Sequence, residues 1–77
     1  MSKLPILKDR DLLKVLKRLG FFEHRQRGTS HLVLKHSDNR RVIIAVHQGK
    51  DIPRGTLKAI LEDAEISVDK LIELLHS

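Results

Sequence analysis

Cysteine, tryptophan and tyrosine are absent from this 77-residue sequence, and Phe21 and Phe22 are its only aromatic residues. Without cysteine the chain can form neither a disulfide framework nor a thiolate site, and a reducing cytoplasm is the expected location. It also lacks the apolar run of a membrane span or a secretory signal. We expect a single domain over residues 1–77, with residues 1–7 as a flexible arm and a core built from Leu, Ile and Val.

Acidic residues are scarce in the middle of the chain. The formal net charge is +5, from 15 Lys and Arg against 10 Asp and Glu. Residues 24–50 hold six basic residues and one acid, Asp38, whereas residues 51–77 hold three basic and six acidic residues. This asymmetry, +5 against −3, is typical of a protein that turns its middle segment toward a polyanion. A solvated, solubilising surface is the other interpretation of the same charges.

Hydrophobic spacing predicts one helix followed by three strands. Leucines recur at helical spacing from Leu12 to Leu19, Asp9 or Asp11 is expected to cap the helix, and Gly20 ends it. The predicted strands cover residues 21–27, 30–36 and 40–47. A turn over residues 37–39 joins the last two strands into a hairpin, because Asn39 tolerates the left-handed conformation.

The last third of the chain predicts two more helices. Pro53 suits the first position of one helix, and Ser67 suits the N-cap of the other. The buried stripe of the Pro53 helix consists of Leu57, Ile60, Leu61 and Ala64. The predicted fold class is α+β, in the order α-β-β-β-α plus a short C-terminal helix. Its three-stranded antiparallel sheet carries the helices on one face.

Helices on one face leave the other face of the sheet open. Side chains alternate along a strand, so Leu32 and Leu34 are expected under the helices and His31 on the open face. Three apolar residues predicted beside His31 form a candidate patch for a protein partner: Val33, Ile43 and Ala45. Ordinary scatter of exposed apolar residues is the alternative.

The histidines and the cations around them favour acid–base chemistry. The hairpin turn pairs His31 near Ala45 or Val46 and brings His47 within a diagonal step. His47 and Ser30, which directly precedes His31, are the candidate auxiliary residues. An imidazole can exchange a proton near neutral pH, and phosphodiester cleavage needs such a group together with cations at the phosphate. The residues expected to bind phosphate are Arg25, Arg27, Lys35, Lys50 and Arg54. Lys50 and Arg54 surround the free N–H groups at the amino end of the Pro53 helix.

A metal site is the competing hypothesis for the same histidines. Zinc could be held by His31, His47 and a carboxylate from elsewhere, although such a site demands three or four converging ligands. His31 and His36 are five residues apart on one strand and therefore point to opposite faces. We predict no metal and no cofactor, and a structural role for His36.

An ordered set of short motifs runs over residues 8–68. The motifs are Gly20-Phe21, Gly28-x-x-His31, His31-x-x-x-x-His36, Asp38-Asn39-Arg40, Val46-His47-x-Gly49 and Pro53-x-Gly55-Thr56-Leu57-x-x-Ile60-Leu61-x-x-Ala64. Together they resemble the HicA-type toxins, the YcfA/HicA-like mRNA interferases. The resemblance implies a fold like the double-stranded RNA-binding domain and metal-independent cleavage of mRNA. It also implies a HicB-type antitoxin that covers the active face, and it puts the family's catalytic histidine at His31.

Three positions depart from that family's pattern. Asn39 stands where glycine is common, Ala45 where proline is common, and Glu65 where glycine usually precedes the last segment. Asn39 and Ala45 suit a turn and a strand, whereas Glu65 leaves the geometry between the last two helices open.

Two other functions fit the same features. A non-catalytic module of the same fold would bind structured RNA by its shape and phosphates without cleaving it. An interaction protein would use the Val33, Ile43 and Ala45 patch and have no affinity for RNA. No membrane partner is expected, and the sequence leaves the oligomeric state and the RNA target open.

Overall fold

The computed structural model describes residues 3–27, 31–45 and 50–76, and for residues 25–27 it describes the course of the backbone. Its elements in chain order are α1 (Asp9–Arg18), β1 (Phe22–Arg27), β2 (His31–Lys35), β3 (Arg41–Ala45), α2 (Arg54–Ala64) and α3 (Val68–Leu75). The predicted α+β order is confirmed. The predicted first and third strands begin one residue before β1 and β3, and the predicted second strand ends one residue after β2. The predicted strand positions 30, 46 and 47 lie outside the described residues.

The three strands form one antiparallel sheet in the order β1-β2-β3. The core lies between this sheet and the helices, and the strands contribute Leu32, Leu34, Val42 and Ile44 to it. Every residue of the stripe predicted for α2 is buried, as are Leu12 and Leu16 of α1. The helices therefore cover one face of the sheet and leave the other open, as the alternation along β2 and β3 predicts.

The amino end of α1 differs from the prediction. The N-cap is Lys8, not an aspartate, and Asp9 is the first helical residue, only 7% exposed. Asp11 acts from inside the first turn, where its Oδ2 accepts a hydrogen bond from the Lys8 N–H at 3.4 Å. A carboxylate in this position stabilises the helix through the free N–H groups and the positive end of the helix dipole.

The carboxyl end of α1 confirms the role predicted for Gly20. The Gly20 N–H donates to the Lys17 carbonyl at 3.1 Å and the Phe21 N–H to the Leu16 carbonyl at 3.0 Å, which is the Schellman pattern. Gly20 has a φ of +105°, and a Cβ there would lie 2.8 Å from Nε2 of His36. Both the backbone conformation and the approach of the imidazole require glycine.

The turn between β2 and β3 is tied to both long helices by three residues, His36, Asp38 and Arg40, which we call the hairpin clasp. Nε2 of His36 bonds to the Leu19 carbonyl at 3.0 Å, and Arg40 Nη1 donates to the carbonyl of Ala64. Within the clasp, Asp38 accepts from Arg40 Nε at 2.7 Å, and the Asp38 N–H donates to Nδ1 of His36 at 3.2 Å. His36 therefore holds structure together, as predicted from its position in the strand.

The Phe21 ring contacts two residues of the hairpin clasp. The His36 imidazole meets the ring edge-on, with centroids 5.1 Å apart, and the Arg40 guanidinium lies over it at 5.1 Å from the centroid. Asn39, at the tip of the turn, takes the predicted positive φ, 78°.

The last two helices follow the predicted pattern with small shifts. Pro53 is the N-cap of α2 and not its first residue. Glu65 ends α2 in the left-handed conformation, with φ 58° and ψ 44°. Ser67 caps α3 as predicted, since its Oγ accepts from the Lys70 N–H at 3.0 Å.

The segment before α1 joins the fold at its carboxyl end. Leu7 is buried in the core, and its carbonyl accepts a hydrogen bond from the Ile52 N–H at 2.7 Å. Lys8 forms an isolated antiparallel bridge with Asp51. Over the ranges that the structure describes, no helix has the length and apolar character needed to cross a membrane.

Candidate functional site

The open face of the sheet consists of three rows of register partners, because partners across antiparallel strands lie on the same face. The Phe22 row contains Phe22, Lys35 and Arg41; the middle row contains Arg25, Val33 and Ile43; the His31 row contains Arg27, His31 and Ala45. Of the two partners predicted for His31, Ala45 and Val46, the register gives Ala45. The His31 and Phe22 rows are four residues apart along β2, or about 13 Å.

A bulge in β1 determines which residues of that strand lie on the open face. The register shifts between Glu23 and Arg25, which leaves His24 without a partner on β2. Without that extra residue, alternation from Phe22 would place His24 and Gln26 on the open face. With it, Arg25 and Arg27 take those register positions.

No acid occurs among the nine register positions of the open face. Four of them hold an arginine or a lysine, and a fifth holds His31. The cations are Arg25, Arg27, Lys35 and Arg41. Sequence reasoning missed Arg41, although counting the hairpin register outward from the turn identifies it as the partner of Lys35. Four of the six basic residues of the middle segment therefore occupy register positions of one face.

His31 is the first residue of β2 and is exposed on the open face. Arg27 is its Cα partner on β1 and Ala45 its partner on β3. None of the other described residues forms a hydrogen bond with its ring. An accessible imidazole can accept a proton from a ribose 2′-hydroxyl or donate one to a departing 5′-oxygen, and an arginine at the adjacent register position can bind the phosphate between them. The two auxiliary residues predicted beside it, Ser30 and His47, lie outside the described residues.

The apolar residues of the open face differ in accessibility. Val33 is only 6% exposed, because it lies on the central strand and has a register partner on each side. Ile43 and Phe22 are each 49% exposed, and Ala45 is half-buried. The accessible apolar surface is therefore carried by Ile43 and Phe22. Sequence reasoning did not single out Phe22, although alternation from a buried Phe21 would place it on this face.

Two predicted phosphate-binding residues lie beyond the sheet, on different surfaces. Lys50 lines a cavity of about 110 Å³ together with Ala45, the register partner of His31. The carboxylate-bearing residues Asp9 and Asp51 line the same cavity. Arg54, the first residue of α2, lines a separate groove whose walls include Lys58 and Val68. The structure thus associates Lys50, but not Arg54, with the end of the sheet that carries His31.

Across residues 3–27, 31–45 and 50–76, no group of three or more His, Asp or Glu side chains is arranged to hold a metal ion.

Comparison with known proteins gives one family match. The model of the family described as HicA toxin of bacterial toxin-antitoxin matches residues 10–66 of the 77-residue chain. That range begins in α1, includes the whole sheet and α2, and ends one residue before the N-cap of α3. No curated protein matches the sequence. Since the match covers well over half of the chain and agrees with the motifs and the fold, the protein belongs to the HicA family of toxins from bacterial toxin–antitoxin systems.

Proposed function

We propose that this toxin is an endoribonuclease that cleaves mRNA in the cytoplasm without a metal ion, and that His31 is its catalytic residue. The HicA family is generally a family of RNase toxins, and His31 occupies the position at which the resemblance implies the catalytic histidine. The observation that carries the proposal is the open face: four cations, no acid and an exposed His31 at its nine register positions.

The charge of the open face favours RNA as the ligand. A single strand offers one negative charge per nucleotide, and a protein that neutralises those charges gains affinity by releasing counterions. Arg25, Arg27 and Lys35, together with Arg41, are the residues proposed to contact phosphates on the sheet. Lys50 would reach the strand from the cavity beside Ala45. Arg54 would contact it only if the RNA continued past the sheet, toward the groove at α2.

The proposed reaction is an internal transfer at one phosphodiester. The ribose 2′-oxygen forms a bond to phosphorus, and the bond from phosphorus to the 5′-oxygen of the next nucleotide breaks. One group accepts the 2′-hydroxyl proton, and another donates a proton to the departing 5′-oxygen. His31 is proposed to perform one of these two transfers, with Ser30 and His47 as auxiliary candidates for the other. Arg27, its register partner, is the cation proposed to stabilise the charge that builds up on the phosphate.

The partner expected of a toxin in such a system is an antitoxin, and we propose a HicB-type protein that covers the open face. Ile43, half exposed in the middle row, and Ala45 beside it would supply apolar contact. Val33 is too deeply buried to add much surface of its own. Covering this face would withhold His31 from RNA and thereby suppress the activity.

The test compares His31→Ala with the matched variant His76→Ala, which removes an exposed histidine at the end of α3. Purified proteins are incubated with RNA in EDTA, and the products are resolved on a denaturing gel. We expect His31→Ala to lower the cleavage rate about 10²- to 10⁴-fold, the usual contribution of acid–base catalysis, with an unchanged melting temperature. His76→Ala should cleave like the wild type, and EDTA should have no effect.

Three results would contradict the proposal. A folded His31→Ala protein that cleaves at the wild-type rate would remove His31 from the catalytic role. Salt-sensitive RNA binding without products from any variant would instead favour a non-catalytic RNA-binding module. Cleavage lost in EDTA and restored by added zinc would replace the metal-free mechanism with a metal-dependent one.

A further inference from the structure

We propose that Phe22 is a stacking platform for a base of the single-stranded RNA that crosses the open face. The inference rests on the proposed function, because it assigns a second contact on the substrate of the same surface. It adds what the cations do not supply, namely a contact with a base.

The two phenylalanines lie on opposite sides of the sheet. Phe21 is 3% exposed and contacts His36 and Arg40 of the hairpin clasp. Phe22, the next residue, lies on the opposite side of the strand with 49% of its surface exposed. Phe21 supplies an aromatic ring to the core, whereas half of the Phe22 surface remains available to a ligand.

The neighbours of Phe22 indicate what that ligand is. Its register partner is Lys35, and Arg41 follows in the same row. An accessible aromatic residue in one row with two cations, on a face whose nine register positions hold no acid, matches what a nucleotide requires: a surface for the base and positive charge for the phosphate. Stacking tolerates any base, because every base has a π-face.

The position of Phe22 relative to His31 also favours RNA. The two residues occupy the first and last rows of one continuous face, and these rows are about 13 Å apart along β2. A strand that presents its scissile phosphate to His31 and follows the cations toward Lys35 passes Phe22 within a few nucleotides. Stacking there would fix the strand's position along the sheet and so help select which phosphate meets His31.

The absence of tryptophan from the chain makes a direct test practical, since Phe22→Trp introduces a single tryptophan. Its fluorescence is followed while a 2′-O-methyl oligoribonucleotide, which lacks the attacking hydroxyl, is added. Stacking of a base on the indole should quench the emission, whereas inorganic polyphosphate, which carries charge without bases, should not. Ile6→Trp is the matched control, because Ile6 is 76% exposed and lies before α1, outside the sheet.

The affinity for the oligonucleotide is a second, independent test of the same contact. Phe22→Ala should weaken binding of the oligonucleotide about 5- to 150-fold, the range expected for loss of one base–aromatic stack. Phe22→Tyr should keep the wild-type affinity because it retains the ring. Circular dichroism checks that both variants fold; Phe22 lies outside the main core cluster.

The outcomes separate this inference from the proposed function. If wild-type protein cleaves RNA through His31 while Phe22→Trp is not quenched and Phe22→Ala binds normally, the stacking platform is wrong and the nuclease stands. If Phe22→Ala loses only its affinity for the antitoxin, Phe22 is a protein contact and the platform is again wrong. If the wild-type chain neither binds nor cleaves RNA, both proposals fail.

Discussion

Asp38 is a surface residue whose charge contributes to the stability of the fold. Desolvation disfavours its ionised form. The Arg40 N–H, the Arg40 guanidinium and the nearby His36 outweigh that effect and hold the pKa of Asp38 below the ordinary value of 3.8. Because the pKa is lowered in the folded state, ionised Asp38 stabilises the protein above the unfolded pKa. That contribution is lost as the pH falls through the folded pKa.

Replacing Asp38 should therefore change stability in a pH-dependent way. We expect Asp38→Asn to be less stable than the wild type near neutral pH, with the difference narrowing once the pH falls below 3.8. Urea unfolding from about pH 6 to about pH 3 measures the difference at each pH. Asp63→Asn is the control for loss of one exposed aspartate, and a gap for Asp38→Asn that stays constant over this range would contradict the account.

At the scale of the element, one residue at the carboxyl end of α2 has an unfavourable backbone conformation. Glu65 has a positive φ, a conformation that costs a residue with a Cβ about 1–2 kcal/mol but is readily adopted by glycine. The conformation is retained because the Glu65 N–H bonds to the Glu62 carbonyl and the Ile66 N–H to the Leu61 carbonyl, each at 3.1 Å. The helix thus ends in a Schellman pattern without the glycine that usually accompanies it.

Glycine at this position should stabilise the protein. We expect Glu65→Gly to raise the free energy of unfolding by about 0.5–1 kcal/mol, after allowing for the greater freedom of glycine in the unfolded chain. Glu62→Gly, the same substitution in the interior of α2, should instead lower it by about 1 kcal/mol. Chemical denaturation of the two variants gives both values, and destabilisation by Glu65→Gly would show that its side chain matters more than its backbone conformation.

The elements themselves were predictable from the sequence, because each has a strong local cause. Gly20, Asn39 and Ser67 mark ends and turns through their own backbone or hydroxyl chemistry, and alternation correctly separated Leu32 and Leu34 from His31. The prediction of an aspartate at the N-cap of α1 was wrong, because a carboxylate in the first turn can accept hydrogen bonds from the free N–H groups without being the N-cap residue. Asp11 does so from inside the helix.

The composition of the open face was less predictable, because it depends on register and not on periodicity. A bulge in β1 changes which residues share a face, so no single alternation can place Phe22 together with Arg25 and Arg27. To place Arg41 on this face, the register between β2 and β3 has to be extended to its last pair, Lys35 and Arg41. The burial of Val33 depends on its neighbours on both adjacent strands, which the residue's own sequence context does not describe.

At the scale of the whole molecule, the location of charge should matter more than its total. Lys35→Gln and Lys14→Gln each lower the formal net charge from +5 to +4. Lys35 lies on the open face, whereas Lys14 is exposed on α1, on the helical side of the sheet. Single-stranded RNA bound on the open face should lose one phosphate contact with the first variant and none with the second.

The salt dependence of binding reports that difference. For the non-cleavable oligonucleotide, the slope of log K against log salt should become shallower by about 0.7 in Lys35→Gln, and it should stay at the wild-type value in Lys14→Gln. Fluorescence anisotropy over a series of salt concentrations measures both slopes. Equal changes in the two variants would mean that RNA responds to the overall charge and not to this face.

The sheet divides the molecule into two sides on which mutations have different consequences. On the helical side, the aliphatic residues of β2 and β3 are fully enclosed, so a change there alters how much folded toxin a cell accumulates. On the open side, His31, Phe22 and Ile43 are accessible, so we expect a change there to alter what the folded toxin contacts. On the proposed assignment, substitutions on the open face would change the specificity of this toxin, or abolish its activity, without lowering the amount of folded protein.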